Sequence, residues 1–190
     1  MNNLQKRIQI DGRNLGRGIL KVDSFINHQV DAQLMLDCAI DLAQRFRSAR
    51  PTKVLTAEIS GIAPALLTAL ELKVPIVYAR KTKPVTMPDT VIMTTAPSHT
   101  KGVSVDLMIS PEYLGPQERV LIIDDFLASG QTILGLVRLA HAAGAQVIGV
   151  GALIEKTFEG GRAVLDHAGL RVESLVQITA MTDDHITFVD

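Results

Sequence analysis

Residues 120–132 read Val-Leu-Ile-Ile-Asp-Asp-Phe-Leu-Ala-Ser-Gly-Gln-Thr. The four apolar residues at the start predict a buried strand, and two adjacent acids, Asp124 and Asp125, follow it. A loop of small and hydroxyl residues comes next, and apolar residues at helical spacing then predict a helix. Amides in such a loop attract phosphate, and paired acids accept hydrogen bonds from sugar hydroxyls or hold a hydrated Mg²⁺. The stretch predicts a site for a phosphorylated sugar, the alternative being an ordinary strand-turn-helix with solvated acids.

This stretch closely resembles the signature with which type I phosphoribosyltransferases bind phosphoribosyl pyrophosphate (PRPP). That signature is a hydrophobic run, two acids and a small loop ending in Gly-x-Thr. It is not a Walker A loop, because Gly-Lys-Ser/Thr is missing. The resemblance implies that the catalytic acids Asp124 and Asp125 lie near the ribose hydroxyls. It also implies that the 5′-phosphate is held by Ala128, Ser129, Gly130, Gln131 and Thr132.

The composition is that of an ordinary globular domain. A length of 190 residues fits a single domain spanning residues 1–190, and 47% hydrophobic residues can build a sizeable core. Nineteen basic against twenty acidic residues give a net charge of -1, which argues against nucleic-acid binding through bulk charge. One cysteine forms no internal disulfide, and no apolar run reaches membrane-spanning length. We therefore expect a cytoplasmic protein with no nucleic-acid or membrane partner.

Strand and helix patterns alternate along most of the chain. Apolar residues recur every four positions from Val30 to Phe46, which predicts an amphipathic helix over residues 31–49. Helices are also predicted at 62–72, from the loop after residue 127 to Gly144, and at 160–168. Strands are predicted at 53–57, 74–79, 119–123, 146–154, 172–178 and 186–189. The alternation predicts an α/β fold in which helices flank a mostly parallel central sheet.

The alternation stops between residues 80 and 118. Five prolines accompany weak strand-like runs at residues 90–95 and 103–109. Long irregular excursions inside a compact domain are usually functional or mobile. We expect residues 80–118 to form a flexible, β-rich flap that can cover the active site, and the alternative is a disordered surface insertion.

Two short segments are candidates for binding pyrophosphate. Residues 58–61 stand between a predicted strand and a helix, where Gly61 permits close backbone approach and the following amides can bind an anion. Residues 80–83 place three cations after the next strand, where they can neutralise a leaving group. A common turn and a solvated surface are the alternatives. The family resemblance implies pyrophosphate contacts from Ser60, Gly61, Arg80 and Lys81.

Residues 20–29 read Leu-Lys-Val-Asp-Ser-Phe-Ile-Asn-His-Gln. This segment resembles the branch of the same family that uses xanthine in bacteria, and the resemblance extends over nearly the whole chain. It implies a small base-recognising hood built from residues 1–30 and 155–190, in which Leu20, Asn27 and Lys156 contact the base. An Asn side chain offers both donors and acceptors to xanthine, and a Lys donor disfavours the amine of adenine.

The resemblance further implies transfer of phosphoribose from PRPP to xanthine. Mg²⁺ would accompany PRPP without a metal site assured by protein side chains, and the chain would form a homodimer. Two alternatives stay open, namely guanine or hypoxanthine as the preferred base, and a non-catalytic PRPP-sensing regulator. Departures from the family pattern at Ile59, Ser129 and Thr132 affect the expected rates more than the expected reaction.

Overall fold

The computed structural model describes residues 2–97, 104–182 and 185–189. Within these ranges the chain forms five α-helices and ten strands. In chain order they are α1 (Asn3–Asp11), β1 (Arg13–Asn14), β2 (Leu20–Lys21), α2 (Ala32–Phe46), β3 (Lys53–Ala57), α3 (Ile62–Leu72), β4 (Ile76–Ala79), β5 (Ile92–Pro97), β6 (Ser104–Ile109), β7 (Arg119–Leu127), α4 (Gln131–Ala142), β8 (Gln146–Lys156), α5 (Gly161–His167), β9 (Val172–Met181) and β10 (Ile186–Phe188).

A six-stranded sheet forms the centre of the molecule. Its strand order is β10-β9-β8-β7-β3-β4, and all neighbours are parallel except the antiparallel pair of β9 and β10. Two small antiparallel ribbons, β1-β2 and β5-β6, lie outside this sheet. The predicted α/β fold with a mostly parallel central sheet is confirmed.

Helices cover both faces of the sheet, as the apolar run in β7 requires. Leu121 and Ile123 pack toward α1, α2 and α3, whereas Val120 and Ile122 pack toward α4, α5 and the β5-β6 hairpin. All four side chains are fully buried. A strand buried on both faces needs apolar residues at every position, so the uninterrupted run follows from the position of β7 in the sheet.

The central strand is longer than the sequence predicted. The prediction ended β7 at Ile123, but the strand continues to Leu127. Its pairing with β8 continues as well, because Asp124 lies opposite Ala152 and Phe126 lies opposite Ile154. The prediction was wrong here because it placed the end of the strand at the last residue of the apolar run. Both acids therefore belong to a rigid strand instead of a loop.

Helix α1 was not predicted from the sequence. Only Leu4 and Ile8 are buried along this nine-residue helix, so its apolar stripe is too narrow to detect by periodicity. The side chain of Asn2 caps the helix by accepting the N–H of Gln5 at 2.8 Å. The same Asn2 side chain donates to the carbonyl of Leu175 at 2.8 Å, which ties the amino terminus to β9.

The β5-β6 hairpin lies inside the predicted flap, and one of its faces belongs to the core. Ala96, Leu107 and Ile109 are almost fully buried against α4. Gly135 of α4 makes room for them, since a Cβ at that position would lie 3.1 Å from Leu107 and 3.2 Å from Ala96. Residues 98–103, which include the predicted strand residue Val103, lie outside the described residues. The flexibility of the flap stays a prediction.

No helix of the described chain is long and apolar enough to cross a membrane. The cytoplasmic location stays a prediction of the sequence.

A buried ion pair anchors the carboxyl end of β8. Glu155 is 1% exposed and accepts hydrogen bonds from Nε and Nη2 of Arg162, at 3.0 and 2.5 Å. Gln177 donates to the same carboxylate at 2.9 Å, and Arg162 also donates to the carbonyl of Val172 at 2.6 Å. Burial alone would raise the pKa of Glu155, but the hydrogen bonds from Arg162, Ser174 and Gln177 outweigh it and lower the pKa.

We predict that Glu155→Gln destabilises the protein by about 1.5–3 kcal/mol at pH 7, the size of a hydrogen bond to a charged group. Because the folded pKa of Glu155 is lowered, its contribution is present above its ordinary pKa and is lost as the pH falls through the folded value. Urea unfolding at pH 7 and near pH 3 measures the difference. Glu173→Gln, in a more exposed pair with Arg171, should cost less than 1 kcal/mol. A pH-independent loss for Glu155→Gln would contradict the prediction.

Candidate active site

A cavity of about 470 Å³ opens at the carboxyl ends of β3, β7 and β8. In parallel α/β folds this edge of the sheet is the usual ligand site, because the loops that leave the strands meet there. The structure brings together twelve of the residues that the sequence analysis selected. The cavity is lined by Leu20, Asn27, Ser60, Lys81, Asp124, Asp125, Ala128, Ser129, Gly130, Gln131, Thr132 and Lys156. Gly61 and Arg80 are the two selected residues that do not line it.

The acid pair is buried in the wall of this cavity. Asp124 and Asp125 are 8% and 7% exposed, and the backbone N–H of Asp125 donates to Oδ1 of Asp124 at 3.0 Å. Burial raises the pKa of Asp124 well above its ordinary range, and the neighbouring Asp125 carboxyl raises it further. Buried carboxylates are unfavourable unless donors or cations meet them. The pair therefore suits a ligand that brings hydroxyl donors or positive charge.

Gly61 lets the loop at residues 58–61 pass directly against the acid pair. A Cβ atom at this position would lie 2.7 Å from Oδ1 of Asp124 and closer still to Oγ1 of Thr56. Any side chain at position 61 would have to displace the loop, Thr56 or Asp124. Ser60 is the loop residue that reaches the cavity surface. Ile59 is 78% exposed and does not line the cavity, so this departure from the family pattern does not alter the cavity wall.

The loop at residues 128–132 turns the chain from β7 into α4. Gly130 adopts a left-handed conformation with φ 75°, and α4 begins at Gln131. The first N–H groups of a helix have no partners within the helix, and its amino end carries partial positive charge. All five residues of this loop line the cavity. The arrangement provides backbone donors for a phosphate group at the start of a twelve-residue helix.

The side chain of Glu58 contacts both predicted cations, Arg80 and Lys81, in different ways. Its Oε2 lies 2.7 Å from Nε of Arg80, and its Oε1 accepts the backbone N–H of Lys81 at 2.6 Å. Arg80 also lies over the ring of Tyr78, 5.9 Å from the centroid, and lines a separate groove beside β4. Lys81 lines the cavity itself. Of these two cations, Lys81 is therefore the one placed to meet a negatively charged ligand there.

Lys156 connects the sheet to the amino-terminal ribbon. Its Nζ donates to the carbonyl of Gly18 at 2.6 Å and lies 3.2 Å from Oε1 of Glu159. It also lies 5.3 Å from the centroid of the Phe126 ring. An ammonium has three N–H donors, and these two oxygen contacts use two of them. Lys156 thus fixes the ribbon that carries Leu20 while it remains part of the cavity wall.

Comparison with known proteins assigns the chain to a family. A family model described as the phosphoribosyl transferase domain matches residues 29–168. The chain belongs to the phosphoribosyltransferase family. It is 47% identical over 189 residues to a protein named xanthine phosphoribosyltransferase from Leuconostoc mesenteroides, with all of both chains covered. It is 48% identical to a protein of the same name from Moorella thermoacetica, over 98% of this chain and 95% of that one.

Solved structures of this family share the fold. The adenine phosphoribosyltransferase of Giardia lamblia, complexed with 9-deazaadenine, superposes with a TM-score of 0.78 at 20% identity, covering 95% of this chain and 100% of that one. The adenine enzyme of Thermoanaerobacter pseudethanolicus superposes with a TM-score of 0.68 at 28% identity, covering 77% and 82%. The predicted type I phosphoribosyltransferase fold is confirmed.

Several residues of the cavity wall were not predicted from the sequence. Leu15 and Ile19 of the ribbon line the cavity although 59% and 46% of each is exposed. Glu58, Lys21 and Asp23 line it as well. Leu15 and Ile19 stand in a glycine-rich segment outside every predicted helix and strand. Apolar side chains exposed in such a segment indicate a binding surface, and this signal could have identified both residues. Glu58 lies in the candidate segment 58–61, but no role was predicted for its side chain, because its partners Arg80 and Lys81 follow it by more than twenty residues.

Lys81 is the one residue in the described part of the predicted flap, residues 80–97 and 104–118, that lines the cavity. None of residues 82–97 or 104–118 belongs to the cavity wall. Closure of a flap over the site therefore stays a prediction.

We predict that Asp124→Asn raises the melting temperature at pH 7.5 while it lowers turnover. Because the folded pKa of Asp124 is raised, the ionised carboxylate opposes folding at every pH above its ordinary pKa. Asparagine removes that cost, and each kcal/mol recovered corresponds to about 2–4 °C in a chain of this size. Calorimetry at pH 7.5 and at pH 4 measures the effect, which should shrink at the lower pH. A lower melting temperature for the variant at pH 7.5 would overturn this account.

Proposed function

We propose that this phosphoribosyltransferase transfers phosphoribose from PRPP to xanthine, giving xanthosine 5′-monophosphate and pyrophosphate. The observation that carries the proposal is the continuous cavity that joins the loop at residues 128–132, the acid pair and Lys156. The two relatives described above, named for xanthine, match nearly the whole chain at 47% and 48% identity. The adenine enzymes match it at 20% and 28%.

The loop at residues 128–132 would hold the 5′-phosphate of PRPP. Its backbone donors and the amino end of α4 favour a dianion, and Ser129 and Thr132 add hydroxyl donors. The carboxylates of Asp124 and Asp125 would accept hydrogen bonds from the ribose hydroxyls. Negative charge on this acid pair also favours the positive charge that develops at the anomeric carbon as its bond to pyrophosphate breaks.

The leaving pyrophosphate would lie between the loop at residues 58–61 and Lys81. Ser60 and Lys81 both line the cavity, and Glu58 fixes the backbone of Lys81. Placing the base and PRPP in one cavity orients the attacking nitrogen toward the anomeric carbon. Most of the catalysis would therefore come from positioning and charge stabilisation, without an obligatory general base among the cavity residues.

The hood would recognise the base. We propose that residues 1–30 and 155–190 supply it, with Lys156 donating to an exocyclic oxygen and Asn27 offering both donor and acceptor. Leu15, Ile19 and Leu20 give the cavity apolar walls suited to a flat ring. Adenine carries a donor amine where a 6-oxopurine carries an acceptor, so a lysine there opposes adenine.

Mg²⁺ would enter the site with PRPP. No group of three or more His, Cys, Asp or Glu side chains within residues 2–97, 104–182 and 185–189 could hold a metal ion. The hard oxygen donors of Asp124 and Asp125 nevertheless fit a Mg²⁺ that keeps its waters and binds mainly through substrate phosphates. When bound, the ion would neutralise charge on the pyrophosphate.

The first test is product formation from PRPP and Mg²⁺ with xanthine, guanine, hypoxanthine and adenine in parallel. We expect xanthosine monophosphate to be the main product and adenine to be unused, because of the donor at Lys156. Dominant use of guanine or hypoxanthine would keep the reaction and change the base. Absence of turnover with every base, in protein that still binds PRPP, would overturn the proposal in favour of a PRPP sensor.

Lys156→Met should raise the KM for xanthine by about 10–100-fold, the effect of losing a hydrogen bond from a charged group. The KM for PRPP should change by less than about threefold, because Lys156 lies at the base end of the cavity. Steady-state kinetics with each substrate varied in turn separate the two values. Lys6→Met, on the exposed face of α1, is the matched control and should change neither. Equal losses for both substrates would mean that the base contact is misplaced.

We also propose a homodimer formed through α3 and β4. Leu66 and Leu70 lie one turn apart on α3 and are 51% and 64% exposed, and Tyr78 is 42% exposed on β4, the terminal strand of the sheet. Exposed apolar side chains beside the terminal strand of a sheet favour association. Sedimentation equilibrium should give a dimer, and Leu66→Glu with Leu70→Glu should give a monomer. Ile10→Glu, at a 78% exposed site on α1, should leave the dimer intact. A monomeric parent chain would overturn the proposal.

A further inference from the structure

Gly161 packs against the loop at residues 128–132 without lining the cavity. Its backbone N–H donates to the carbonyl of Ala128 at 3.0 Å. The two segments also touch through Gly130, where a Cβ atom would lie 3.2 Å from the carbonyl oxygen of Gly161. The first residue of α5 therefore supports the loop from outside the cavity.

The contact leaves no room for a side chain at position 161. A Cβ there would overlap the carbonyl oxygen of Ala128 and would lie 2.8 Å from the backbone nitrogen of Gly130 and 2.9 Å from Leu127. The first two neighbours are backbone atoms, which cannot rotate away. Adding even a methyl group must therefore move the loop or move α5.

Arg162 prevents α5 from moving. Its guanidinium bonds both oxygens of the buried Glu155 carboxylate and the carbonyl of Val172. Glu155 directly precedes Lys156, the proposed base contact. The same strand end therefore fixes the base end of the cavity and, through Arg162 and Gly161, the phosphate end.

We propose that Gly161 and Arg162 are positioning residues for the 5′-phosphate. Gly161 holds the loop at residues 128–132 in its binding shape, and Arg162 holds Gly161 in place. Neither residue touches the ligand. The inference rests on the proposed function, because that function assigns the 5′-phosphate to this loop.

A purely structural role would act on the whole molecule, whereas a positioning role acts on one ligand. In the proposed function, ribose 5-phosphate binds through the loop at residues 128–132, and inorganic pyrophosphate binds through Ser60 and Lys81. The two probes therefore report on the two ends separately. A general folding defect would weaken both equally.

Titration calorimetry of Gly161→Ala with ribose 5-phosphate and with inorganic pyrophosphate plus Mg²⁺ tests the inference. We expect affinity for ribose 5-phosphate to fall at least about tenfold, because displacements near 1 Å have large effects at such sites. Affinity for pyrophosphate should stay within twofold. Gly115→Ala is the matched control, since a Cβ there meets nothing within 4 Å and the residue precedes β7 at the other end of the sheet.

Arg162→Lys provides a second variant in case Gly161→Ala does not fold. Lysine keeps the charge but cannot bond both oxygens of Glu155 and the carbonyl of Val172 together. It should weaken ribose 5-phosphate binding about three- to tenfold and leave pyrophosphate binding unchanged. Equal losses for both probes, or no loss in either variant, would overturn the positioning role. Failure of the parent chain to bind ribose 5-phosphate would instead overturn the proposed function itself.

Discussion

Two adjacent carboxylates buried at the end of a central strand set the main constraint on this molecule. Asp124 and Asp125 cannot be solvated fully, and their mutual repulsion is unfavourable until a ligand supplies donors or positive charge. The fold tolerates this because β7 is paired on both sides, with β3 and with β8, and its apolar part is fully buried. The pairing of β7 with both neighbouring strands also keeps the two acids in place when no donor or cation is bound to them.

The surroundings of the acids follow from the same constraint. Gly61 brings the neighbouring loop so close to Asp124 that no side chain fits between them. Glu58, three residues earlier, is paired with Arg80 and with the backbone of Lys81 and so carries no free negative charge toward the acids. The two acids and the cation Lys81 therefore line the same cavity.

The sequence predicted the fold and much of the cavity wall because their signals are local. The apolar run of β7, the acids and the small-residue loop are contiguous, and α3 was predicted with its observed bounds. Contacts between distant segments were not predicted. Lys156 was selected as a base contact, but its hydrogen bond to Gly18 across 138 positions was not predicted, and neither was the contact of Glu58 with Lys81 across 23. Neither pairing leaves a periodic pattern, so only the folded chain could show these contacts.

The chain is similar to adenine enzymes in its fold and to proteins named for xanthine in its sequence. Both similarities fit a cavity in which one part would hold PRPP and another would hold the base. PRPP would be held by β7, its loop and the loop after β3, which are central parts of a fold shared at 20% identity. The base would be held by the β1-β2 ribbon and the end of β8, where Lys156 donates to Gly18. In the proposed function, a change of base would change the donors and acceptors of these segments and leave the parts that hold PRPP as they are. The choice of base would therefore depend on the β1-β2 ribbon and on Lys156, the last residue of β8.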